Sequence, residues 1–140
     1  MGVEPLAEEF TCAGFIASLS RRPKSTIKAA LLDQSTLAGV GNIYADESLF
    51  RSGIRPDRLA GSLKEDDVDR LRNMIREVLA EAIGEGGTVS DNYFDAENRP
   101  GRYVPQVYDR GGKPCPRCSE QLIRTRIAGR GTVYCAACQS

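Results

Sequence analysis

The chain has 140 residues, 41% hydrophobic and 27% charged, with basic and acidic side chains in equal number. That is the profile of an ordinary soluble globular protein, one domain or one domain with a small appendage, and no apolar run approaches the length of a membrane span. Histidine is absent, so no imidazole is available as a general base, and any zinc site must use thiolates or carboxylates.

Taken in chain order, the opening MGVEPLAEEF is acidic and lacks the basic and apolar regions of a secretory signal, so nothing routes the chain out of the cytoplasm. Residues 11–20 predict a short helix with Phe15, Ile16 and Leu19 on one face, closed by Pro23. Ser25 is the expected cap of a second helix from Thr26 to about Asp33 that buries Ile27, Leu31 and Leu32. Gly39 and Gly41 then precede a helical pattern through Ile43, Tyr44, Leu49 and Phe50, with Asn42 as its expected cap and Gly53 as its stop. The longest helix is expected from Glu65 to Ile83, because Val68, Leu71, Ile75, Val78 and Leu79 recur every three or four residues. Residues 88–106 show no period and predict a long loop. Two alternating segments follow, one of Leu122, Ile123, Thr125 and Ile127 and one of Thr132, Val133 and Tyr134, with Gly129 and Gly131 at the turn of a β-hairpin.

The strongest chemical signal is C-x2-C-x16-C-x2-C, formed by Cys115, Cys118, Cys135 and Cys138. Two thiolates from each of two tight turns close a tetrahedron around one Zn2+ ion, and four thiolates leave no open coordination position, so the metal is structural. The tail from Lys113 to Ser140 is too short to hold an apolar core of its own, and bound zinc contributes on the order of 10–16 kcal/mol to such folds. Cys12 stands apart among apolar neighbours and reads as a small buried hydrophobe.

The charges are segregated. Residues 61–98 carry four cationic against ten acidic side chains, whereas residues 99–140 carry eight cationic, seven of them arginine, against two acidic. An arginine-rich block beside an acidic helix suits a polyanion, although a charge run alone is more often a solvated surface. The turn Gly39-Val40-Gly41-Asn42 offers free amides at a helix start, where phosphate binds; taken alone it is also an ordinary helix connection. Arg130, between two glycines of the hairpin, can grip a phosphate or simply face solvent.

Together, LLDQSTLAGVGNIYADESLFRSGIRP (31–56) and GGKPCPRCSEQLIRTRIAGRGTVYCAACQ (111–139) resemble the formamidopyrimidine-DNA glycosylase family, the first its helix–two-turn–helix motif and the second its zinc finger. The resemblance implies a mainly α fold with a small β-hairpin zinc ribbon. It divides the chain into a helical DNA-binding domain at 1–87, a lesion-capping-type loop and linker at 88–112, and the zinc finger at 113–140. It implies DNA binding through Asn42, Arg130 and Gly41, with Lys24 of the basic stretch placed beside them. The implied whole is a bifunctional base-excision-repair glycosylase and AP lyase acting on oxidised purines. In that family an amino-terminal proline, its neighbouring glutamate and a hairpin lysine perform the chemistry in a β-sandwich domain. Pro5 and Glu4 are internal to the matching block, so catalysis is not carried onto them, and the chain by itself is expected to be inactive. The expected partners are lesion-containing double-stranded DNA and the catalytic domain, with no membrane; the expected state is a monomer in a bacterial-type cytoplasm at the nucleoid. The family loop that caps oxidised guanine falls at Thr88–Tyr103, where Ser90-Asp91-Asn92 departs from the usual pattern. The alternatives are a non-enzymatic zinc-ribbon protein that binds nucleic acid, or a zinc-stabilised protein-interaction module.

Overall fold

The computed structural model describes residues 11–33, 41–84 and 104–140. Pro5, Glu4, Gly39 and the expected capping loop at Thr88–Tyr103 lie outside the described residues.

Helix α1 (Cys12–Ser20) starts at Thr11, whose hydroxyl accepts the Gly14 N–H at 3.1 Å, and it buries Phe15, Ser18 and Leu19. Helix α2 (Ile27–Leu32) has only six residues and is capped by Thr26 rather than Ser25, the Thr26 hydroxyl accepting the Ala29 N–H at 3.2 Å. The cap falls one residue later than expected because Thr26 also bridges to Leu59 and Ile27 donates its N–H to the Arg58 carbonyl at 2.6 Å. So short a helix is marginal alone, and burial of Ile27, Ala30 and Leu31 holds it.

Helix α3 (Asn42–Ser52) is the centre of the molecule, with every residue from Ala45 to Phe50 buried. Its cap is Gly41; Asn42 is its first helical residue, not the cap, which leaves the Asn42 side chain free to reach outward from the helix end. Gly53 ends it in the left-handed conformation (φ 75°), with Gly53 N–H on the Phe50 carbonyl and Ile54 N–H on the Leu49 carbonyl. A single 3₁₀ turn at Ala60–Ser62 leads to α4 (Glu65–Gly84), which runs one residue past its expected end. Glu65, Asp66 and Asp67 fill the first turn of α4, where anions meet the amide end of the helix, and Asp67 accepts the Lys64 N–H at 3.0 Å.

Val68, Leu71 and Ile75 of α4 meet Phe15, Leu19, Ile27, Leu31 and Leu49 in one apolar cluster, with α4 packed along α3 and α1. Cys12 packs on the rim of that cluster and is only partly buried, less than the sequence suggested. On the outer side Arg51 binds Glu77 and Glu81, and Arg70 donates to the Ser52 carbonyl at 2.7 Å, tying α3 to α4.

The C-terminal part is an antiparallel hairpin of β1 (Ile123–Ile127) and β2 (Arg130–Tyr134), in the register Ile123 to Tyr134 through Ile127 to Arg130. The turn is Ala128-Gly129, both at positive φ (54° and 73°), the geometry of the tight two-residue turns that match strand twist. Gly131 therefore lies within β2, opposite Arg126, and Arg130 closes the turn instead of occupying its apex. Arg126 fixes the turn by donating to the Gly129 carbonyl at 2.8 Å. The mainly α architecture with a two-stranded hairpin carrying the cysteines is the one expected from the sequence.

A metal centre and a cleft beside it

The hairpin is bracketed by two Cys-x-x-Cys turns. In the first, Ser119 N–H returns to the Cys115 carbonyl at 2.9 Å; in the second, Gln139 N–H returns to the Cys135 carbonyl at 3.0 Å. These turns bring the four sulfurs within 4.8 Å of one another. Cys115 Sγ lies 3.9 Å from Cys138 Sγ, and Cys118 Sγ lies 3.5 Å from Cys135 Sγ. A tetrahedron with zinc–sulfur bonds of about 2.3 Å has edges of roughly 3.8 Å, so this donor set fits a zinc ion. Without a cation, burial first, then hydrogen bonding to the other three sulfurs, and last the charge of Cys115 push the Cys138 thiol up to about 12. A dication reverses that balance and holds all four as thiolates.

The centre is fastened to α3 at the end opposite Asn42. Gln139 is buried; its side-chain oxygen accepts the Cys135 N–H at 2.8 Å and its amide donates to the Ile54 carbonyl at 2.9 Å. Ser140 N–H reaches the Gly53 carbonyl at 2.9 Å, and the Arg117 guanidinium covers the Phe50 ring at 4.8 Å. Phe50 itself lies in a second apolar cluster with Val107, Cys115, Leu122, Val133 and Cys135.

At the Asn42 end, the start of α3, both hairpin strands and residues 108–109 border a cleft of about 490 Å³ lined by Asn42, Asp46, Tyr108, Asp109, Arg124 and Gly131 among others. Asn42 Nδ2 donates to the Gly131 carbonyl at 3.1 Å, so the start of α3 and strand β2 meet. Arg130 is exposed next to that contact. Gly41 has φ −90° and no side-chain cap, and a Cβ placed on it or on Gly131 would touch nothing within 4 Å. Neither backbone strain nor internal packing requires glycine at these two positions; both leave open main chain where a ligand can approach closely. Lys24 is elsewhere, in a second groove with Arg21, Arg22, Pro23 and Ser25. The structure thus brings Asn42, Gly41 and Arg130 together and leaves Lys24 apart.

At the inner wall of the cleft and behind it lie buried charged residues that the sequence pattern does not mark as a site. Lys28 and Asp46 are fully buried and pair at 2.7 Å. Burial pushes the Asp46 carboxyl up to about 6, against the pull of Lys28 and of the Val133 N–H; burial likewise lowers Lys28. Glu47, next in the helix and also buried, accepts three main-chain amides, from Gln106 (2.7 Å), Val107 (2.8 Å) and Tyr108 (3.0 Å). The available signal was a charge on a helix face otherwise filled by Ile27, Leu31, Leu49 and Phe50.

A helical unit with a four-cysteine hairpin seated on its central helix defines the class of zinc-finger proteins built on a helix–two-turn–helix. The formamidopyrimidine-DNA glycosylase H2TH domain family matches residues 1–93, and the zinc finger found in FPG and IleRS matches residues 112–140. The chain belongs to the formamidopyrimidine-DNA glycosylase family. It is 48% identical to the formamidopyrimidine-DNA glycosylase of Desulfitobacterium hafniense over 99% of its own length and 51% of the relative's. It superposes on the MutM (Fpg) protein of Thermus thermophilus with a TM-score of 0.90 at 46% identity, covering 99% of this chain and 53% of that one. On the Lactococcus lactis Fpg in complex with abasic-site DNA the TM-score is 0.89 at 36% identity, covering 100% and 52%. The chain spans about half the length of the curated relatives it matches. Its cysteine centre is a structural zinc site, and no described helix is long and apolar enough to cross a membrane.

Proposed function

We propose that these 140 residues are the DNA-gripping portion of a bifunctional base-excision-repair glycosylase and AP lyase for oxidised purines, and that they act with a separate catalytic domain. The contact of Asn42 with the Gly131 carbonyl supports this reading most directly, because Asn42 at the helix amide end and Gly131 line one cleft, and the exposed Arg130 immediately precedes Gly131 in the strand. Enzymes of this kind extrude the damaged nucleotide, and the strand must be held by its phosphates while the base leaves the stack. In this reading Asn42, the Gly41 main chain and Arg130 hold one stretch of sugar–phosphate backbone, and Lys24 in its own groove meets another. Residues 1–87 form the helical binding domain, 88–112 the loop and linker, and 113–140 the finger. The chain works as a monomer in the bacterial cytoplasm, alongside the chromosome. Zinc shapes the finger and takes no part in bond cleavage.

The test is binding of the chain to a duplex carrying an abasic-site analogue, measured across salt concentrations. Arg130→Ala is expected to make the log–log salt slope shallower by about 0.9, one phosphate's worth. An unchanged slope removes Arg130 from the interface. Borohydride trapping on an oxidised-guanine duplex is expected to give no covalent adduct; efficient trapping would show that the chain carries lyase chemistry of its own.

A further inference from the structure

The buried Lys28–Asp46 pair is a poor device for stability. Taking two ions out of water costs about as much as their attraction returns, and packed apolar residues of the same volume serve a core as well or better. What the pair supplies is direction. Lys28 Nζ, 2.7 Å from Asp46 Oδ1, also donates to Thr132 Oγ1 at 2.7 Å and to the Gly131 carbonyl at 3.0 Å. The Thr132 hydroxyl in turn donates to the Arg130 carbonyl at 3.1 Å. Asp46 Oδ2 accepts the Val133 N–H at 3.1 Å, and Asn42 gives the Gly131 carbonyl its second donor. Three consecutive residues of β2, from Gly131 to Val133, are thus held by α2 and α3, and Arg130 is tied to them through the Thr132 hydroxyl. An apolar filling could occupy the same space, but it has no preferred height for the strand, whereas these bonds are met in one register only.

We infer that Lys28, Asp46 and Thr132 are positioning residues, which set the hairpin tip so that Arg130 and the Gly131 main chain face a DNA backbone phosphate beside Asn42 in a preformed grip. This rests on the reading of the cleft as a phosphate site. The observation that carries it is that the relay from Asp46 through Lys28 and Thr132 ends on the carbonyl of Arg130 itself. A grip formed before the ligand arrives binds more tightly than one that must be ordered on contact.

The experiment compares the wild-type chain, Arg130→Ala, the apolar pair Lys28→Met/Asp46→Leu, and the three changes combined. The probe is a duplex with an abasic-site analogue, titrated against salt, with zinc content and thermal melting checked for each variant. The apolar pair is expected to keep its zinc and its fold, yet to bind with a slope about 0.9 shallower, matching Arg130→Ala. Adding Arg130→Ala to it is expected to change little, since both act on the same contact. A folded, zinc-loaded apolar pair that binds with the wild-type slope overturns the inference while leaving the phosphate cleft standing. If the apolar pair does not fold, Thr132→Val carries the test. It removes only the hydroxyl that joins Lys28 to Arg130, and a wild-type slope there overturns the inference equally. If the wild-type chain itself shows no salt-dependent DNA binding, the phosphate reading fails first and the positioning role falls with it.

Discussion

The helical unit and the finger bury different things. Residues 11–84 bury Phe15, Leu19, Leu31, Leu49, Leu71 and Ile75 against one another, so apolar area holds the helices. Residues 104–140 contribute only Val107, Leu122, Val133 and two cysteines to a fully buried cluster, and they borrow Phe50 from α3 to complete it. The rest of their order comes from the four-sulfur centre and from hydrogen bonds to the helices, among them those of Glu47 and Gln139. A domain can therefore be ordered by area or by ligation, and the seam between the two kinds is where buried charge collects: Lys28, Asp46 and Glu47 all lie there.

The largest effect that would test this contrast is loss of metal. Cys135→Ser, or a strong chelator, is expected to remove on the order of 10 kcal/mol from the finger. Strand amide signals in NMR spectra should collapse while most of the helical circular dichroism remains. Equal loss of both would show that the two regions are one cooperative unit. At the seam, Lys28→Ala leaves Asp46 buried without its partner and is expected to cost about 3–5 kcal/mol in urea unfolding, whereas the paired apolar change lies near neutral. In the helical unit, Leu71→Ala opens a cavity and is expected to cost about 2–5 kcal/mol with zinc content unchanged. Zinc loss in that variant would break the distinction between the regions.

The smallest effect is a cap. Asp67 lies below its ordinary carboxylate range, first because it accepts the Lys64 N–H and also because Arg70 and Arg58 face it. Its folded value is lower than the unfolded 3.8, so the stability it contributes is complete above that pH and disappears as pH falls through the folded value. Asp67→Asn is expected to cost about 0.5–1 kcal/mol at neutral pH, a gap that closes in acid. A gap that persists in strong acid, once the folded carboxyl is protonated, would assign the effect to packing instead.

The parts legible in the sequence were those decided locally. The cysteine spacing gave the metal set, and the three-to-four spacing of Val68, Leu71, Ile75 and Val78 gave α4 to within a residue of its end. The hairpin is legible but its turn is not, because Ala128 takes a left-handed conformation usually left to glycine, whereas glycine itself stands at 129 and 131. The charged seam was illegible for a different reason. Lys28 meets Thr132 across 104 residues and Asp46 meets Val133 across 87, and nothing in the local pattern announces partners so distant. Asn42 and Arg130 stand 88 residues apart, and only the fold shows Asn42 bonded to Gly131, the strand neighbour of Arg130.

Helix α3 touches the cleft with its first residue, while the Gly53 carbonyl just beyond its last takes the N–H of Ser140 behind the second knuckle. It serves as the molecule's ruler. Each residue turns the helix by about 100° and advances it by about 1.5 Å. A single insertion between Asn42 and Leu49 would swing the Asn42 amide to another side of the helix while the knuckle stayed put. In this chain, the spacing between the two ends of that helix fixes the distance from the cleft to the metal centre.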